Sequence, residues 1–139
     1  MRAIDIAHRI VVTCKPDERL STVAKMMLDH WINSVFVIEN DKPIGIVTDG
    51  IIFRLIAKER NLLGFLAKDI MVSPVYTIHE NTDISDTKNE FFKTKVKKLA
   101  LVNDEGKLTG ILSKRDVDRF KKYSLAQQII HRRHETSPF

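Results

Sequence analysis

Several things are scarce in this chain, and each scarcity narrows what it does. One cysteine in 139 residues, Cys14, rules out an intrachain disulfide and suits a reducing, cytoplasmic setting. With no base placed beside it, Cys14 reads as a small strand residue rather than a nucleophile. Aromatic residues make up 7%, with a single tryptophan, which leaves little material for a stacking face. No apolar run approaches the roughly 20 residues that a membrane-crossing helix needs. The first residues, Met1-Arg-Ala-Ile-Asp-Ile-Ala-His8, do not read as a signal peptide, because Asp5 and His8 interrupt the apolar stretch. There is no Gly-x-x-x-x-Gly-Lys phosphate loop, no paired-carboxylate motif and no Ser/His/Asp arrangement, so no catalysis is expected. His131-Arg-Arg-His134 puts two imidazoles on one helix face without a third ligand, so no metal is expected either.

What the chain does have is positive charge. Lysine and arginine outnumber aspartate and glutamate by 23 to 18, for a formal charge of +5. Lys93, Lys95, Lys97 and Lys98 form one cluster, Lys114, Arg115, Arg119, Lys121 and Lys122 another, and Arg132 and Arg133 extend the basic character to the tail. Such an excess permits a nucleotide, a nucleic acid or an acidic protein as partner. Nucleic acid binding through the lysines would show a log K that falls by about 0.9 per phosphate neutralised as log salt rises. Phe91 and Phe92 read as internal, which leaves that idea without a stacking surface.

The chain also repeats itself. Asp5-Ile6 recurs as Asp69-Ile70, Val11-Val12-Thr13 as Val75-Tyr76-Thr77, and Val35-Phe36-Val37-Ile38 as Leu99-Ala100-Leu101-Val102, all at an offset of 64. Gly45-Ile46-Val47-Thr48 then meets Gly110-Ile111-Leu112-Ser113 one residue later, because the second copy has a longer turn. Each copy predicts a short strand (Ile10 to Thr13; Val75 to Ile78), an amphipathic helix (about Ser21 to His30; about Ile84 to Lys93), a β-hairpin and a closing helix. The fold class expected is therefore α/β (α+β), two β-α-β-β-α units packed sheet to sheet about a pseudo-twofold axis, since one unit alone buries too small a core. The expected boundaries are 3–60 for the first unit, 61–68 for a connector, 69–122 for the second and 123–139 for a basic extension. The connector carries Leu62, Leu63, Phe65 and Leu66, too apolar to hang free. Trp31 reads as a core or interface residue.

At the end of the second hairpin, Ser113 stands at a helix N-cap and Asp116 three residues on, the spacing of a capping box. That leaves a hydroxyl, a carboxylate and a helix N-terminus at the carboxyl end of a strand, a place that suits a phosphate. The first copy has Thr48 but Ile51 where the carboxylate belongs.

Asp69-Ile-Met71, the Val75-Tyr-Thr77 strand and the duplicated Gly-h-h-Thr/Ser hairpin ends (h, apolar), taken in order, resemble the cystathionine-β-synthase (CBS) domain. Over about residues 3 to 122 the chain resembles a stand-alone CBS pair, also called a Bateman module. The resemblance implies a non-catalytic regulatory module that binds an adenosyl ligand (AMP, ADP, ATP or S-adenosylmethionine) between the repeats, and a homodimer joined through helical faces. It implies that Ser113 lies near ribose and phosphate and that Asp116 holds the ribose hydroxyls. Val12 and Thr13 would edge the adenine, Asn33 and Ser34 would offer backbone contacts, and Arg115 would reach a phosphate. The second site, at Thr48 and Thr77, would be impaired: a hydrogen bond to a charged group contributes about 1.5–3 kcal/mol and the ribose offers two hydroxyls, so losing both and setting the Ile51 side chain against them costs at least about a hundredfold in affinity. A protein partner would read the ligand-driven change, and no cofactor is required. Nucleic acid binding and a ligand-free assembly role are the competing readings.

Overall fold

The computed structural model describes residues 1–120 and residue 129. In chain order it runs α1 (Ala3–Ile6), β1 (Thr13–Cys14), α2 (Leu20–His30), β2 (Ser34–Glu39), β3 (Lys42–Thr48), α3 (Asp49–Ala57), α4 (Ala67–Ile70), β4 (Thr77–His79), α5 (Ile84–Thr94), β5 (Lys98–Val102) and β6 (Leu108–Ser113), with a helix α6 over 114–120. The basic extension and the His131–His134 pair lie outside the described residues, apart from residue 129. No helix among the described residues is long and apolar enough to cross a membrane.

The two halves fold by the same rules. Leu20, Val23 and Met27 form the buried stripe of α2, and Ile84, Thr87 and Phe91 the matching stripe of α5. Thr87 substitutes for valine in that stripe, and its hydroxyl donates to the Asp83 carbonyl at 3.0 Å, so its burial leaves nothing unpaired. Each helix is the crossover that a parallel strand pair requires. β1 runs parallel to β2 and β4 parallel to β5, while β3 and β6 close each sheet antiparallel. The first hairpin turns on Asn40 and Asp41, both at positive φ (53° and 65°), the conformation of a two-residue type I′ turn. The second has one more residue; Asn103 Oδ1 accepts from the Glu105 and Lys107 amides, and Gly106 takes the positive φ. Both ladders shift register close to the turn, after Val37 with two pairs still to come and after Leu101 with one.

The repeats are not closed units. α1, which begins the first, buries Ala3 and Ile4 in the second core, among Ile84, Phe91, Leu99, Leu101 and Leu112. Conversely, Ala67 is buried in the first core with Leu20, Val23, Val35 and Val47, and Ile70 and Met71 pack against it. Two short bridges fix the exchange: His8 pairs with Ile111 (N–H···O 3.0 and 2.9 Å) and Val72 with Ile46 (2.9 and 3.0 Å). From the connector, Leu62 and Phe65 join the first core, as the sequence implied, although Leu63 stays exposed. On the other face of the sheets, Phe36 and Ala100 are buried and Lys98 reaches across to Ser34. The expected architecture, two related β-α-β-β-α repeats packed as a pair, is the one observed.

The leading strands begin later than expected. Pairing starts at Thr13 and at Thr77, so Ile10 to Val12 and Val75 to Tyr76 precede the ladders. Apolar residues that line a cleft and apolar residues that pair in a sheet look alike in sequence. Phe92, read as internal, lies outside, and Trp31, read as a core or interface residue, is not in the core. Trp31 is 95% and Phe92 86% exposed, because each falls on the outer side of its helix or just past its end.

The exchange demands glycine in both repeats, since a Cβ on Gly45 would run into the Met71 side chain. A Cβ on Gly110 would stand 3.2 Å from the His8 carbonyl and 3.3 Å from Ile4 Cδ1. The first obstacle is backbone that is itself hydrogen-bonded to Ile111. Gly110→Val is expected to destabilise the protein by about 1–3 kcal/mol, as overpacking does, measured by urea unfolding; an unchanged midpoint would refute the close approach. Cys14 offers a second test. It is buried in the first core, and burial, then the nearby Glu18 charge, push its thiol from an ordinary 9.0 to about 11. Folding therefore favours the neutral thiol. Stability from this group is complete below pH 9 and is lost as the pH rises toward 11. At pH 8, iodoacetamide should modify Cys14 at least about tenfold more slowly in the folded protein than in urea.

Candidate ligand-binding cleft

The cleft is built from the end of β6 outward. Ser113 accepts at Oγ from the Asp116 amide at 3.0 Å and so caps α6. The reciprocal half of a capping box is not made among the described residues. Instead, Asp116 Oδ2 accepts from His8 Nε2 at 3.0 Å. The carboxylate is therefore turned away from the cap toward the chain segment that the exchange brings over from the first repeat. In the first repeat, Thr48 caps α3 in the same way, accepting from the Ile51 amide at 3.2 Å, but Ile51 has no carboxylate to present.

Around Asp116 lies a cleft of about 1360 Å³, above the roughly 300–1,000 Å³ usual for a small-molecule site. One wall is apolar: Ile10, Val11 and Val12 ahead of β1, with Leu28, Trp31 and Ile32 from the end of α2. The other carries Ser113, Lys114, Arg115, Asp116 and Arg119, and Asn33, Ser34, Lys97 and Lys98 lie at the same opening. Of the residues singled out from sequence, Val12, Asn33, Ser34, Ser113, Arg115 and Asp116 share this cleft. Thr13 does not line it; it is held in β1 opposite Phe36. Thr48 and Thr77 lie elsewhere, in the N-cap of α3 and in β4.

Three residues of the cleft were not anticipated. His8 arrives through the exchanged segment, which no local pattern reveals. Lys98 was read only as one of a lysine cluster. Its Nζ donates to Ser34 Oγ at 2.7 Å and Asn33 Oδ1 at 3.1 Å. Burial lowers its pKa from the ordinary lysine value, against the opposing pull of Asp49 and Asp116. Trp31 adopts a left-handed conformation (φ 53°) as the residue after α2, where glycine is usual. The amide of Ile32 donates to the Met27 carbonyl at 3.0 Å and completes the helix end. The position that strains the backbone is also the one that sets an indole at the cleft mouth. A second, smaller hollow is lined by Phe91, Phe92, Lys95, Val96, Lys97 and Lys114, so the lysine cluster does have an exposed aromatic ring beside it.

The architecture is that of a paired α/β module with its main cleft between the halves. A family model described as the CBS domain matches residues 3–58 and again 67–122, and the chain belongs to the CBS-domain family. The protein MK0525 of Methanopyrus kandleri is 32% identical over 124 residues, which is 88% of this chain and 63% of that relative. The chain thus spans less than two thirds of it. Among solved structures, the CBS domain pair of protein MJ0100, in complex with 5′-methylthioadenosine and S-adenosyl-L-methionine, superposes with a TM-score of 0.79 at 22% identity, covering 89% of this chain and 98% of that one. The CBS domain protein PAE2072 from Pyrobaculum aerophilum, complexed with AMP, gives 0.75 at 22% identity, covering 84% and 89%. Both likenesses are of fold.

Proposed function

We propose that this CBS pair is a non-catalytic regulatory module that binds one adenine nucleotide or related adenosyl ligand in the cleft at Asp116. The observation that carries the reading is the orientation of Asp116: Ser113 supplies the helix cap, and the carboxylate is left facing the cleft with one oxygen on His8. Two hydroxyls of a ribose are suitable donors to such a carboxylate. The apolar wall at Val12 and Trp31 suits a base, and the basic wall at Arg115 suits a phosphate. Solved pairs of the same fold hold AMP, 5′-methylthioadenosine and S-adenosyl-L-methionine, which supports the ligand class. The related position in the first repeat, Ile51, offers no acceptor, so that site is impaired.

Regulation follows from the cleft's composition. His8 and Val12 belong to the first repeat and Asp116 to the second, so a ligand that touches both favours one relative placement of the repeats. It shifts that equilibrium only by its differential affinity for the two placements. Calorimetric titration of AMP, ATP and S-adenosylmethionine into wild type and Asp116→Ala tests the site. The variant is expected to lose at least about tenfold in affinity, the loss of one hydrogen bond to a charged group; equal affinities would refute the assignment. Duplex DNA titrated alongside tests the competing occupant of the basic surface.

The module further reads as a homodimer. α3 has no fully buried residue, and Phe53 and Ile56 stand exposed on it. An unpartnered apolar helix face of this kind suits a second copy. Light scattering after size exclusion should give the dimer mass for wild type and the monomer mass for the double variant Phe53→Glu, Ile56→Glu. A wild-type monomer would overturn the reading.

A further inference from the structure

We propose that Lys98 is the specificity-determining residue of the Asp116 cleft, selecting a phosphorylated adenosine over a neutral or sulfonium-bearing adenosyl compound. This rests on the adenosyl reading of the cleft given above. Lys98 opens β5 directly opposite Ser113, the residue that caps α6 at the cleft. From there its ammonium crosses between the repeats and donates to Ser34 Oγ and Asn33 Oδ1, both neutral acceptors. Among the described residues no carboxylate comes within 4.0 Å of Lys98 Nζ. An ammonium has three N–H donors, so one is left for a further acceptor.

Lys98 is thus a partly desolvated cation with hydrogen bonds but no counter-charge beside it. Burial acts against its charge, and the carboxylates of Asp49 and Asp116 sustain that charge only at longer range. An anion entering the cleft would supply what the protein does not. The surroundings have the same sign: Lys97, Lys114, Arg115 and Arg119 join Lys98 against Asp116 and Asp118. A recess lined mainly by one sign of charge concentrates ligands of the opposite sign. A nucleoside phosphate is favoured there, adenosine gains nothing, and the net positive charge of S-adenosylmethionine is opposed. Pseudo-symmetry localises the device. Lys98 occupies in the second repeat the position that Ser34 holds in the first, so one copy supplies the cation and the other its acceptor.

The full chain is titrated with AMP, ATP, adenosine and S-adenosylmethionine, followed by calorimetry and by the fluorescence of Trp31, its one tryptophan. Wild type is expected to bind AMP or ATP at least about tenfold more tightly than adenosine or S-adenosylmethionine. Lys98→Met should weaken nucleotide binding by about tenfold or more and leave adenosine within about twofold, while Lys98→Arg keeps the preference. Thermal melts establish that each variant is folded, and Lys98→Gln serves if the methionine variant is not. Equal affinity for AMP and S-adenosylmethionine in wild type would overturn the inference and leave the adenosyl reading standing. So would a Lys98→Met variant that weakens all four compounds alike, since that marks Lys98 as structural support for Ser34 and Asn33. Failure of all four to bind would overturn the adenosyl reading itself, and this inference with it.

Discussion

The structure depends on an exchange. Each repeat gives its leading segment to the core of the other, and two short bridges, His8 with Ile111 and Val72 with Ile46, hold the exchanged pieces at the sheets. Burying one isoleucine-sized side chain contributes about 1.5–3 kcal/mol, and small domains keep only about 5–15 kcal/mol in all. Ile4 and Ala3 in one core, and Ala67 in the other, are therefore a large fraction of what keeps each half folded. The halves cannot part without uncovering both cores. Motion between them is restricted to what the bridges tolerate, which is the kind of constraint that turns a ligand between two halves into a reporter of their placement.

The backbone symmetry is close, and the side chains break it where it matters. Leu20, Val23 and Met27 are matched by Ile84, Thr87 and Phe91, all buried. At the clefts the matched positions differ in kind. His8 corresponds to Val72, Asn33 to Lys97, Ser34 to Lys98, and Asp116 to Ile51. The Asp116 cleft thus receives an imidazole and a carboxylate where the matched positions carry two aliphatic side chains, while Asn33, Ser34, Lys97 and Lys98 exchange places across the pseudo-twofold.

Much of this was legible in the chain. The internal offset, the Asn/Asp and Gly turns and the helical spacing of the core residues are local signals, and they gave the repeats and their elements. Ser113 and Asp116 were legible because a cap leaves a fixed spacing. Three things were not. The exchange of leading segments is a tertiary choice that follows the same residues whether the segment packs on its own sheet or its neighbour's. His8 therefore gave no sign of its partner. Phe92 reads as internal because an apolar residue near a helix stripe usually is, yet it falls on the outer side of α5 and is exposed, as is Trp31 just past the end of α2. Lys98 was hidden in a run of lysines that sequence alone reads as a solvated surface.

That lysine and Asp116 also explain why the cap and the site are one construction. An N-cap contributes about 1 kcal/mol, and Ser113 alone supplies it. A carboxylate at the third helical position would ordinarily return to the cap, as Asp5 does to the Arg2 amide in α1 and Asp69 to the Leu66 amide in α4, at 2.9 and 2.8 Å. Asp116 forgoes that bond and takes His8 from the other repeat. Lys98 likewise gives two of its hydrogen bonds to acceptors of the other repeat. Both groups point across the boundary between halves, and opposite charges there are held apart rather than paired with each other. A ligand with hydroxyls for the one and an anion for the other satisfies both at once, and only when the halves stand at the right distance. Only the part of its binding energy that such a ligand gains in that one placement is the energy with which it fixes the placement.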